Sequence, residues 1–268
     1  MKKDKPVYLS LENKSLPLKT NKKAKFFPYQ YSLDKGGKKT FRSEKRMAIL
    51  LVPNSQCTNR CIFCEPNIPL MEKLVNAKLS LSAKPNVKNI LKEAKKLYLK
   101  NKDIKEIVIG AGIGEPLLYF KDLLSLILLL KKELGLPIRL NTNGQASVIL
   151  KQNSTKEICK SLENVGLNII MISLNAITEE EYNFLCKPKL KGSFKSVIKF
   201  IEECNKGNIK TLVSFLDYPK GIGYPKLDKK KINKFITSLG LKESQIVYRP
   251  IFLDANIRKR KIKWKKRI

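Results

Sequence analysis

Three thiols stand within eight residues, in Cys57-Thr58-Asn59-Arg60-Cys61-Ile62-Phe63-Cys64. Spaced by four and then three positions on one short segment, they can converge on a single centre, and thiolate sulfur is a soft donor suited to zinc or iron–sulfur sites. Three is the informative number. A structural zinc site takes four protein ligands; the chain has no histidine to complete one, and its other cysteines, 159, 186 and 204, lie far away in sequence. A cubane cluster held by three cysteines leaves one iron open to a small molecule. Other segments carry groups of the same kind. Gly110-Ala111-Gly112-Ile113-Gly114-Glu115-Pro116 combines glycines, which let backbone approach a ligand, with a carboxylate that could neutralise an ammonium group or cap the helix that follows. Asn141-Thr142-Asn143-Gly144 and Ser173-Leu174-Asn175-Ala176 offer small hydrogen-bonding side chains. Cys186, in Leu185-Cys186-Lys187-Pro188, is a candidate catalytic thiol, as hydrogen-atom donor or substrate contact, beside the plainer reading of a buried small residue before a turn.

The elements that must position these groups follow from hydrophobic period. Short apolar runs read as strands at Met47–Val52, Ile104–Ile109, Ile138–Thr142, Asn168–Leu174, Ile209–Leu216 and Ile246–Leu253. Between them, helical spacing covers 86–100, Phe120–Leu134, Lys156–Val165, Phe194–Cys204 and Asp228–Leu239, with Gly135, Gly166 and Gly240 as stops. Cys159 and Cys204 fall among apolar helix positions and read as core. Six near-continuous apolar strands alternating with helices predict an α/β fold with a parallel sheet, either a partial (β/α)6 barrel or an open doubly wound sheet. In both, the working face is at the C-terminal ends of the strands. Every segment quoted above sits just beyond such an end.

Composition narrows the chemistry. The chain of 268 residues is 43% hydrophobic, enough for a substantial core. With His 0, it has no Ser-His-Asp or Cys-His pair, no His-bound zinc or haem and no imidazole switch. Its net charge is +32, from 55 Lys+Arg against 23 Asp+Glu. Residues 1–46 hold 14 basic and 4 acidic groups, and residues 254–268 hold 8 and 1. These ends read as a basic, irregular N-terminal extension and a basic C-terminal tail around a body at 47–253. Such blocks suit nucleic acid or another polyanion; a Lys-rich, Arg-poor composition also arises from base-composition drift. The longest apolar run, Leu123–Leu130, is interrupted by Ser125 and falls far short of a membrane span. A cytoplasmic location is expected, with the thiols reduced.

The loop CTNRCIFC, with GIGEP after the second strand, TNG after the third and SLNA after the fourth, resembles the radical S-adenosylmethionine superfamily over roughly residues 47–253. GIGEPLL, RLNTNG and SLNAITEEEYNFLCKP resemble, more narrowly, the TatD-associated radical SAM proteins. The resemblance implies a partial (β/α)6 barrel with basic extensions. It implies one [4Fe–4S] cluster on Cys57, Cys61 and Cys64, with the amino and carboxylate groups of S-adenosylmethionine on the fourth iron. Phe63 would lie against the adenine. Gly112, Gly114 and Glu115 would bind the methionine amino group. Ser173 and Asn175 would face the ribose, Asn143 would line the pocket, and Arg249 and Pro250 would border adenine or substrate. The family's Gly-Gly-Glu is Ile113-Gly114-Glu115 here. Reductive cleavage to a 5′-deoxyadenosyl radical and hydrogen abstraction from a substrate would follow, with reduced flavodoxin or ferredoxin as electron donor. The competing expectation is a nucleic-acid-binding module whose cysteine loop is a structural metal site; a radical enzyme acting on RNA would combine the two.

Overall fold

Successive side chains of a strand point to opposite faces, and here the two faces have different neighbours. The structure, a computed structural model, describes residues 9–12, 31–33, 39–41, 46–64, 81–110, 114–218 and 223–250. Its strands are β1 (Leu9–Glu12), β2 (Tyr31–Leu33), β3 (Lys39–Phe41), β4 (Arg46–Ile49), β5 (Glu106–Ile109), β6 (Ile138–Thr142), β7 (Ile169–Ser173), β8 (Lys210–Asp217) and β9 (Ile246–Pro250). The helices are α1 (Val87–Lys100), α2 (Phe120–Leu134), α3 (Ala146–Ile149), α4 (Thr155–Asn164), α5 (Glu179–Cys186), α6 (Ser193–Lys206) and α7 (Lys229–Ser238). One sheet runs in the order β1-β4-β5-β6-β7-β8-β9-β2-β3.

The six strands β4 to β9 are parallel and lie side by side in chain order, the arrangement that repeated right-handed βα crossovers produce. The sheet does not close. On the face that carries Met47, Ile49, Ile107, Ile109, Ile138, Leu140, Ile170, Ile172, Val213, Phe215 and Tyr248, the strands pack with the helices into one buried core. Ile49, Ile109, Leu140 and Ile170 share a register row across four strands. The other face holds a separate small cluster, Met171, Leu212 and Val247, to which no helix among the described residues contributes. With the described helices on a single face, the open parallel sheet matches a partial barrel rather than a doubly wound sheet. At the strand N-termini its inner face carries a buried ion trio: Arg46 Nε lies 2.8 Å and Arg139 Nη2 3.7 Å from Glu106 Oε2.

Local signals account for most element ends. α2 buries Leu123, Leu126, Ile127 and Leu130 and stops at Gly135, which takes a left-handed φ of 66° that non-glycine residues rarely adopt. Asn86 caps α1 by accepting from Lys88 N, and Ser154 and Glu157 form a capping box on α4. Three expectations change. The first strand leaves its ladder at Ile49, and Leu50–Val52 continue as buried loop. Residues 1–46 are not wholly irregular: β1 pairs antiparallel with β4, β2 with β9, and β3 with β2. Helices α3 and α5 were not anticipated. The predicted end of the last strand, 251–253, and the basic tail at 254–268 lie outside the described residues. Among those residues, no helix is long and apolar enough to cross a membrane.

Candidate functional site

The C-terminal ends of β4, β5, β6, β7 and β9 deliver Cys57, Glu115, Asn143, Ser173 with Asn175, and Arg249 to one rim. The cysteine loop follows the buried Leu50–Val52 segment and is bound to the end of α5 like a short antiparallel pair. Arg60 N donates to Cys186 O at 3.1 Å, Ile62 N to Leu185 O at 3.0 Å and Lys189 N to Thr58 O at 2.8 Å. Lys189 Nζ also donates to Cys57 O at 2.9 Å. Cys57, Cys61 and Cys64 are half-buried free thiols. Burial, reinforced by the nearby Glu115 charge, pushes the Cys57 thiol up to about 12, against N–H groups of Asn59 and Asn143 that favour its thiolate. A hydrogen bond with Cys186, then burial, raises Cys61 well above the usual thiol range, while Arg249 draws it down. Among the described residues, no group of three Cys, Asp or Glu side chains is already drawn together at metal-holding distance. The donor set itself, three thiols of one loop with no carboxylate in it, fits a soft metal centre.

Glu115 answers to both of its sequence readings. It is 1% exposed and caps the 3-10 turn Pro116–Tyr119 by accepting from Leu117 N at 3.0 Å. It also ties β5 to β6, accepting from Thr142 Oγ1 at 2.6 Å and Asn143 N at 2.7 Å. Burial pushes its carboxyl up to about 6 against these three donors. A carboxylate has about four acceptor positions, so one stays available to an ammonium. Gly114 brings the chain against Val52: a Cβ there would lie 2.6 Å from Val52 Cγ1. Gly112 lies outside the described residues.

On the β7 to β9 side, Arg249 Nη2 donates to Ser173 Oγ at 3.2 Å, and Ser214 Oγ to Ser173 Oγ at 3.4 Å. Burial lowers the Arg249 pKa, and the thiols of Cys61, Cys64 and Cys186 oppose that shift. Asn175 holds a left-handed φ of 63°, is 5% exposed and points Nδ2 toward Cys186 Sγ at 3.9 Å. Asn141 Oδ1, Asn175 Oδ1 and Arg249 Nε are buried without a hydrogen-bond partner among the described residues. Orphaned polar atoms in a rim are costly unless a ligand satisfies them, and these offer two acceptors and a donor. Phe63 is half-buried against the core. Cys186 is fully buried at the end of α5, beside Cys61. Cys159 and Cys204 are buried 3.0 Å apart between α4 and α6, away from the rim.

Of the layer behind the loop, sequence reasoning named Asn143 and missed the rest. Gln145 Nε2 donates to Asn59 Oδ1 at 2.6 Å and to Tyr182 OH at 2.8 Å, and Asn143 Nδ2 donates to Thr58 Oγ1 at 2.8 Å. All five side chains are buried. Their only sequence signal was adjacency: Thr58 and Asn59 lie between the cysteines, and Gln145 follows Gly144.

A model of the radical SAM superfamily matches residues 51–228. An uncharacterised protein of Methanocaldococcus jannaschii is 34% identical over 131 residues, which cover 47% of this chain and 43% of that protein, so the match spans less than half of either. Methylornithine synthase shares the fold at 16% identity, with a TM-score of 0.50, over 77% of this chain and 53% of that one. So does Streptococcus suis SuiB, solved bound to precursor peptide SuiA, at 16% identity and a TM-score of 0.52, over 81% and 42%. The family match covers the cysteine loop, the Glu115 turn and the ends of β6 and β7, and the chain belongs to the radical SAM superfamily.

Proposed function

We propose that Cys57, Cys61 and Cys64 hold one [4Fe–4S] cluster and that the rim binds S-adenosylmethionine against its open iron. The observation that carries this is a loop of three half-buried free thiols on the same rim as a buried, three-fold hydrogen-bonded carboxylate at Glu115. When bound, the pair would pass one electron from an external reductant to the sulfonium, breaking its C–S bond to give methionine and a 5′-deoxyadenosyl radical able to abstract hydrogen from a substrate. The chain's own residues bind and orient. Glu115 takes the methionine ammonium, helped by backbone at Gly112 and Gly114. Ser173 and Asn175 meet the ribose, Phe63 the adenine, and Asn143 and Arg249 close the pocket walls. Cys186, buried against the cluster loop, has a supporting role there.

Anaerobic reconstitution with iron and sulfide, then dithionite and S-adenosylmethionine, tests this reading. Cluster absorbance with about four irons per chain and release of 5′-deoxyadenosine are expected; absence of either refutes it. We also propose an acidic electron carrier, reduced flavodoxin or ferredoxin, as the natural donor, in a reducing cytoplasm that suits six free thiols. The net charge of +32 supports this and equally supports contact with nucleic acid through the basic ends. Replacing Lys2, Lys3, Lys5, Lys22, Lys23 and Lys25, which lie outside the strands, by Gln slows turnover with the carrier and spares it with dithionite in the first case; in the second it weakens a steeply salt-dependent RNA or DNA affinity.

A further inference from the structure

The cysteine loop contains no helix or strand, so its sulfurs stand where neighbouring elements hold them. Cys57 Sγ accepts two N–H groups, from the Asn59 backbone at 3.4 Å and from Asn143 Nδ2 at 3.7 Å. Gln145 stands behind both donors. Its backbone N–H donates to Asn143 Oδ1 at 3.0 Å, which turns Asn143 Nδ2 toward Thr58 Oγ1 and the sulfur. Its side-chain Nε2 donates to Asn59 Oδ1 at 2.6 Å and to Tyr182 OH at 2.8 Å, and so fixes the residue whose backbone makes the other contact. Gln145 is 0% exposed, and its Oε1 is buried without a partner among the described residues. An amide in that position is worse than a methionine of similar size for packing alone. Its cost is understandable if its task is orientation.

We propose that Gln145 is a positioning residue that fixes the N–H···S contacts at Cys57 and thereby sets the reduction potential of the centre the three cysteines hold. The inference rests on the reading of Cys57 as a cluster ligand. An N–H aimed at a ligating sulfur stabilises negative charge on it, and the reduced centre carries more of that charge. Loosening the contacts therefore makes the centre harder to reduce.

Gln145→Met keeps the side-chain length and the backbone bond to Asn143 and removes only the bonds to Asn59 and Tyr182. In the metal-free protein, amide hydrogen exchange over residues 57–64 is expected to accelerate about tenfold, the factor for one net hydrogen bond, with the β5 to β8 strands unchanged. In the reconstituted protein at full iron content, a spectroelectrochemical titration followed by electron paramagnetic resonance is expected to give a more negative midpoint than the wild type. Tyr182→Phe, which removes one of the two acceptors, shifts it less and in the same direction. An unchanged midpoint in Gln145→Met overturns the proposal, as does faster exchange spread evenly over the sheet, the mark of mere destabilisation. If Gln145→Met loads no iron, the Tyr182→Phe midpoint decides by the same criterion. If the wild type itself loads none, the cluster reading fails, and exchange alone decides whether Gln145 positions the loop.

Discussion

Replacing Glu115 by Gln changes charge at a site that is 1% exposed and bound on three sides. The carboxyl ionises near 4.5 when exposed and is pushed up to about 6 in the folded chain by burial. Below pH 4.5 both folded and unfolded chains keep the proton, and the site costs nothing. Between the two values the unfolded chain has released its proton while the folded chain still holds it, so stability falls as pH rises. Above about 6 both are ionised and the loss is complete, about 2 kcal/mol at about 1.4 kcal/mol per pKa unit. Glu115→Gln has no such dependence. Its amide cannot accept from Asn143 N as the carboxylate does, a loss of about 1.5–3 kcal/mol, but that cost is constant with pH. Urea unfolding of the metal-free, thiol-reduced protein from pH 4 to 7.5 should therefore show the variant gaining about 2 kcal/mol on the wild type across the series. Cys57, pushed up to about 12, does not titrate in that window. The same linkage applies to ligand: an ammonium set against the carboxylate favours its ionised form, so wild-type affinity for S-adenosylmethionine should rise as pH passes 6 and that of the variant should stay low and flat. Stability curves that run parallel through the whole range would refute the assignment of burial as the cause.

Cys57→Ala, Cys61→Ala and Cys64→Ala should each abolish iron loading on reconstitution, whereas Cys159→Ala, between α4 and α6, should leave iron content and absorbance intact. Glu106→Leu leaves two guanidinium groups of 7% and 2% side-chain exposure without their shared carboxylate; the expected cost is about 3–5 kcal/mol in urea unfolding, part of it recovered in Arg46→Met/Glu106→Leu, and a cost under about 1 kcal/mol would contradict the burial argument. Gly144 has φ 77°, and a Cβ there would sit 2.6 Å from Ile172 Cγ2. Gly144→Ala should lower stability by about 1–3 kcal/mol, read as a fall in melting temperature.

How far a sequence reveals its fold depends on whether the deciding interactions are local. The limits of α2 and β6 were legible because Gly135 marks the stop of the one and the short segment 138–142, with Ile138 and Leu140 turned to the core, is the other. α5 was not: it is eight residues long and opens with Glu179, Glu180 and Glu181, and its one signal was Thr178, whose hydroxyl accepts from Glu181 N. β1, β2 and β3 are three or four residues each, embedded in lysine-rich sequence. What makes them strands is a partner far along the chain, β4 for β1 and β9 for β2, and composition carries no record of that pairing.

The site divides along the same line. The rule that parallel strands work at their C-terminal ends was enough to place Cys57, Glu115, Asn143, Ser173 and Asn175 on one rim before any contact was known, whereas Arg249 came only with the family resemblance. Gln145 and Tyr182 were hidden because amide and phenol hydrogen bonds have no period, and the bond from Gln145 to Asn59 spans 86 residues. The assembled rim also explains how an enzyme can do without histidine. Burial pushes Glu115 up to about 6, so at neutral pH it is mainly ionised; Cys57 and Cys61 are raised away from neutrality; and burial lowers Arg249 while the neighbouring thiols oppose that shift. The raised thiols are poor general bases at neutral pH, and the Glu115 carboxylate, already held by three donors, is better placed to recognise a charge than to move a proton. A rim built this way is suited to recognising charge and holding a ligand still. The reactive step then has to come with what is bound, which is the division of labour expected of a cofactor enzyme.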